Sequence, residues 1–104
     1  MARKLESDVN RSTRVKVREP QMYNVIMYND DFTPMDFVVE ILMSIFHKKE
    51  QDAFRLMYAV HRGSKAVAGT YVYDIAETKK TEAIKKARKE GYPFRLETEP
   101  VGKE

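Results

Sequence analysis

From Met22 onward the apolar residues of this chain switch between two spacings, and that switching constrains the fold more than any other feature of the sequence. The run Met-Tyr-Asn-Val-Ile-Met-Tyr over residues 22–28 is dense in β-formers. Pro20 and Asn29-Asp30-Asp31 bound it, which predicts a strand ending in a turn. Thr33 then suits the N-cap of a helix, Pro34 its first position and Asp36 the positive end of its dipole. Val38, Ile41, Leu42 and Ile45 keep helical spacing as far as Phe46 or His47. A second helix is expected from Glu50 or Gln51, with Ala53, Phe54, Met57 and Val60 as its apolar stripe and Gly63 as its stop. Residues 65–73 read as a second strand. A third helix covers about 75–90, with Ile75, Ala76, Ala83, Ile84 and Ala87 inward and Gly91 as terminator. Finally Phe94, Leu96 and Thr98 alternate with Arg95, Glu97 and Glu99, the period of a half-exposed strand. The order β-α-α-β-α-β predicts an α+β fold, a three-stranded antiparallel sheet packed on three helices in a small two-layer sandwich.

At 104 residues the chain is long enough for one domain. Polar residues interrupt every apolar run, so no segment is expected to span a bilayer, and the first twenty residues lack the apolar core of a secretory signal. A cytoplasmic location is the expectation. The absence of cysteine excludes disulfides, thiolate catalysis and cysteine zinc sites, and two histidines are too few for a His-rich metal centre. No cofactor is expected. Residues 1–20 hold six Lys/Arg against three Asp/Glu, while residues 21–104 hold 13 of each sign. The net charge of +3 thus resides in the first twenty residues, read as a flexible basic N-terminal arm ahead of a folded domain over 21–104. A body without basic excess counts against nucleic-acid binding.

Several residues could carry chemistry. Asn29-Asp30-Asp31 reads equally as turn and capping residues or as carboxylates of a site, although adjacent turn residues point apart and no further cluster completes a metal shell. His61 lies beside the apolar stripe formed by Met57 and Val60. Met35, Met43 and Met57 suit either a core or an adaptable binding pocket. Lys79, Lys80, Lys85, Lys86 and Lys89 interleave with Glu77, Glu82 and Glu90, the pattern of a solvated helix face.

Taken together, Asn29-Asp30-Asp31-Phe32-Thr33-Pro34-Met35, the distant Leu56-Met57-Tyr58-Ala59-Val60-His61, Lys65-Ala66 and Ala76-Glu77-Thr78-Lys79 resemble the ClpS family, adaptors of the Clp AAA+ protease. The resemblance covers residues 20–99. It implies a non-catalytic adaptor that binds N-degrons, proteins whose exposed first residue is Leu, Phe, Tyr or Trp. Such an adaptor delivers them to a ClpA- or ClpC-type unfoldase for degradation by ClpP. By similarity, Asn29, Asp30 and His61 receive the substrate α-amino group and Asp31 contacts the peptide backbone. Thr33, Met35, Val38, Met57, Val60 and Phe94 line the side-chain pocket. Asp74 and Lys79 dock on the unfoldase from the side away from the pocket. Phe94 stands where leucine is common in the family, so its larger ring is expected to narrow the pocket. The implied protein acts as a monomer, without nucleic acid or membrane as partner. The rival readings are a small hydrolase using Asp30, Asp31 and His61, and an RNA- or ribosome-binding domain, since the C-terminal domain of the ribosomal stalk protein shares this α/β shape.

Overall fold

The computed structural model describes residues 19–102. Apart from Glu19 and Pro20, the expected N-terminal arm lies outside the described residues. Six elements follow in the anticipated order: β1 (Met22–Tyr28), α1 (Met35–Ser44), α2 (Glu50–Gly63), β2 (Lys65–Val72), α3 (Tyr73–Lys89) and β3 (Arg95–Pro100). The sheet order is β2-β1-β3, and β1 runs antiparallel to both neighbours.

Alternation along β1 sends Val25 and Met27 into the core, where both are fully buried. Opposite them β3 contributes Leu96 to the same face, through the pair Met27↔Leu96. The β1–β2 ladder pairs Val25 with Gly69 but Ile26 with Val67, which leaves Ala68 as the extra residue of a bulge. Gly69 is needed there because a Cβ at this position would overlap the Tyr71 ring. The freed space lets Tyr71 lie over the strand and reach Phe46, ring centroids 6.4 Å apart. Burial there pushes the Tyr71 hydroxyl pKa up.

The helices pack on this face through residues chosen by size. α1 supplies Phe37, Val38, Ile41 and Leu42, and α2 supplies Ala53, Met57 and Val60. α3 buries only Ala76, Ala83 and Ala87, whose small side chains let its backbone approach the sheet closely. α2 and α3 have narrower inward stripes than the sequence suggested, whereas α1 also buries Phe37 and Val39. Phe54 and Ile75 sit about 100° around the helix from Ala53 and Ala76. Both are exposed, at 41% and 48%.

Helix ends also depart from expectation. α1 begins at Met35, with Pro34 in extended conformation at the cap position and no side-chain cap bond, so Thr33 is not its N-cap. α1 closes at Ser44, and α3 starts two residues early, at Tyr73. Gly63 is still helical. The left-handed residue that ends α2 is Ser64, at φ 72°, and its N–H donates to the Val60 carbonyl at 2.9 Å.

Thr98 ties β3 to α3, its hydroxyl donating to Glu77 Oε2 at 2.6 Å. That bond, with Lys80 Nζ 3.1 Å from the other oxygen, holds the Glu77 carboxyl below the usual glutamate range. A lowered folded-state pKa stabilises the fold above the unfolded value, and the contribution disappears as pH falls through the folded one. Thr98→Val is therefore expected to lower the melting temperature by a few degrees at about pH 7, the effect of losing roughly 1 kcal/mol. The difference from wild type should shrink as the pH falls from neutral through the lowered Glu77 pKa. Melts across that range read it directly, and a pH-independent difference would disprove the linkage.

Candidate functional site

The end of β1 carries Asn29, Asp30 and Asp31 into the loop before α1, and two sets of bonds fix that loop. The Asn29 N–H donates to the Ser64 carbonyl at 2.8 Å, extending the β1–β2 pairing one step beyond Tyr28↔Lys65. Asp30 folds back on its own chain. Its Oδ1 accepts the N–H groups of Phe32 and Thr33, each at 2.8 Å, and its Oδ2 accepts the Thr33 hydroxyl at 2.8 Å. Short-range bonds of this kind are why aspartate favours turns. Because Ser64 both ends α2 and receives Asn29, the last turn of that helix, with His61, is held beside the loop.

A cavity of about 300 Å³ opens between this loop, the start of α1 and the last turns of α2. Val38, Met57 and Val60 form its buried apolar floor. Asn29, Asp30, Asp31, Thr33 and His61 supply its polar wall, and Pro34 and the 43%-exposed Met35 complete the lining. The volume lies at the low end of ligand pockets, which run from about 300 to 1,000 Å³. A space of this size accommodates one side chain with a polar head. The wall offers two carboxylates and further acceptors close to an apolar floor, an arrangement suited to a small amphiphilic cation.

Nine residues expected at the pocket therefore meet at one cavity, although they come from two separate stretches of chain, 29–38 and 57–61. Phe94 does not join them. It lies one residue ahead of β3 and keeps the parity of Leu96 and Thr98, so its ring enters the core. It is 1% exposed and meets Phe37 edge-on at 6.5 Å, while Arg88 Nη1 donates to its carbonyl at 2.8 Å. The narrowing of the pocket expected from its ring therefore has no basis in direct contact. Pro34 was not anticipated as a lining residue. Its signal was present in its position between Thr33 and Met35, but the helix-start reading absorbed it.

No residue of α3 lines the cavity. Asp74 is exposed in the first turn of that helix. Lys79 is half-buried, and its Nζ donates to the Ile45 carbonyl at 2.7 Å and lies 5.4 Å from the Tyr71 ring centroid. It thus caps the negative end of α1 from a neighbouring helix. Among the described residues, no group of three or more histidines and carboxylates could hold a metal ion, and no helix is long and apolar enough to cross a membrane.

Comparison with known proteins places the chain in a family. The family model for the ATP-dependent Clp protease adaptor protein ClpS matches residues 18–97. A relative in Acetivibrio thermocellus, named ATP-dependent Clp protease adapter protein ClpS, is 48% identical over 92 residues, covering 88% of this chain and 93% of its own. Its counterpart in Clostridium acetobutylicum is 44% identical over 96 residues, with 92% and 95% covered. Among solved structures, Agrobacterium tumefaciens ClpS2 bound to L-phenylalaninamide is similar at a TM-score of 0.76 and 39% identity, over 79% of this chain and 99% of that one. Fold and relatives together define an adaptor of an ATP-dependent Clp protease. Within that class, the chain belongs to the ClpS family.

The structural role of Lys79 is separately testable. Lys79→Met keeps the apolar stem and removes the ammonium, leaving the Ile45 carbonyl without this donor. Thermal unfolding should show a loss of about 1–2 kcal/mol, several degrees in melting temperature. An unchanged melt would mean that the bond contributes nothing to stability.

Proposed function

We propose that this adaptor binds proteins through a free N-terminal Leu, Phe, Tyr or Trp and delivers them to a ClpA- or ClpC-type unfoldase for degradation by ClpP. The observation that carries the reading is the cavity itself, which sets an acceptor-rich wall against an apolar floor in a space for one side chain. An α-amino group presents up to three N–H donors and, with a pKa near 8, is mostly cationic at neutral pH. Asp30 supplies the anion, and the Asn29 carbonyl and the His61 imidazole supply neutral acceptors. Asp31, exposed at the same wall, meets the peptide backbone that follows. The first side chain descends onto Val38, Met57 and Val60. Met35, at the edge of the cavity, excludes side chains that are wide at Cβ. The ligand of the Agrobacterium structure supports this chemistry, since L-phenylalaninamide joins a free amine to an aromatic side chain and carries no carboxylate.

The same polypeptide would engage the unfoldase from α3, through exposed Asp74 and, beyond its bond to Ile45, Lys79. The basic segment over 1–20 would act at the unfoldase pore during delivery.

The test is a titration of labelled peptides that differ only at the first residue: Phe, Leu, Trp, Val and N-acetyl-Phe. Free Phe, Leu and Trp peptides are expected to bind at micromolar affinity or better, with Val and acetylated Phe much weaker. Asp30→Ala should weaken the Phe peptide by roughly thirtyfold or more, because a charge pair that loses one partner commonly costs at least about 2 kcal/mol. Equal binding of free and acetylated Phe would overturn the amine site.

A further inference from the structure

We propose that Thr33 is a positioning residue for the Asp30 carboxylate, and that through it Thr33 sets how strongly a free N-terminus is preferred over a blocked one. The inference deepens the reading above and rests on it. Thr33 lines the cavity as part of its polar wall. The cap position of α1 belongs to Pro34, so the Thr33 oxygen is not engaged with the helix and donates to Asp30 Oδ2 at 2.8 Å.

Counting acceptor capacity shows why this matters. A carboxylate has about four lone-pair sites, two on each oxygen. Oδ1 of Asp30 accepts two N–H groups, from Phe32 and Thr33, and its capacity is filled. Oδ2 accepts the Thr33 hydroxyl and keeps one site. An ammonium entering the cavity therefore takes its charge-assisted bond at Oδ2, the oxygen that the Thr33 hydroxyl helps to hold. The last torsion of a free aspartate is broad and soft. Here the two N–H bonds at Oδ1 restrict it, and the Thr33 hydroxyl adds the one bond that acts on Oδ2 itself. Holding it in place before binding removes an ordering cost that would fall on the amine contact alone. A blocked N-terminus forms no ion pair with Asp30 and gains little from that order.

Thr33→Val tests the hydroxyl alone, because valine keeps the β-branch, the approximate volume and the backbone N–H bonded to Oδ1. Affinities for free and N-acetyl Phe peptides would be measured by NMR titration, which also reads weak binding. Thr33→Val is expected to weaken the free peptide about tenfold and to leave the acetylated one within about twofold. Thr33→Ser, which retains the donor, should restore most of the ratio. Thermal melts would check that each variant is folded, with Thr33→Ala as the alternative donor-free variant should valine disturb the loop. If the wild type fails to distinguish free from acetylated Phe, the amine reading itself is wrong and this inference falls with it. If the wild type discriminates and both donor-free variants keep the full ratio, Thr33 is only a wall, and the positioning role is overturned while the amine site stands.

Discussion

Strand β1 is bonded along both edges, and the rest of the molecule is arranged around that constraint. Its pairing with β2 and β3 satisfies the backbone on both sides and leaves its two faces to decide the layers. One face takes the helices. The end of the strand then runs directly into Asn29-Asp30-Asp31, so the polar wall of the cavity is attached to the most securely held backbone in the sheet. The last step of that attachment is the Asn29 bond to Ser64, which places the loop next to the turn ending α2. Residues 29–31 and residue 61 are therefore brought together by strand register and one left-handed serine, and no direct bond between their side chains is required.

Much of this was legible in the sequence, and the failures are instructive. The order of elements, and with it a small sandwich of three strands and three helices, followed from the change of period and from turn residues. Phe54 and Ile75 were misplaced because a stripe drawn on a helix by apolar identity ignores rotation, and a residue next to a buried alanine points about 100° away. Thr33 has the chemistry of an N-cap, but Asp30 stands three residues before it and competes for the same hydroxyl. Single-residue propensity cannot rank a cap against such a loop bond. Ser64 escaped notice because glycine is the usual left-handed terminator, and Gly63 was at hand.

The site was legible in a different way. Composition and spacing left Asn29-Asp30-Asp31 and His61 as features with ordinary structural explanations, and the resemblance of two separated motifs joined them. The structure supplies the physical link that spacing could not, since one cavity is lined by residues 29–31, 33–35, 38, 57, 60 and 61. Phe94 shows the limit of such a transfer. Its parity along the last strand, readable from Leu96 and Thr98, already directed it to the core rather than to a pocket formed at the helix ends.

An adaptor has to hold a substrate and a protease partner together, which requires two surfaces that do not share residues. The division of labour among the elements meets that requirement. The cavity draws on the β1–α1 loop, α1 and α2, while α3 contributes nothing to its lining. α3 is instead fastened from beneath, by three buried alanines, by Glu77 to Thr98 and by Lys79 to the end of α1. The Lys79 bond joins the helix proposed for docking to the helix whose first residues line the cavity. Because it grips the far end of α1, at Ile45, it steadies that helix without entering the cavity. Docking that drew Lys79 away from Ile45 would uncap α1 at its C-terminus, and ten residues of helix separate that end from Met35. The cavity and the helix proposed for docking are therefore joined through packing and one bond to the far end of α1, while they share no lining residue.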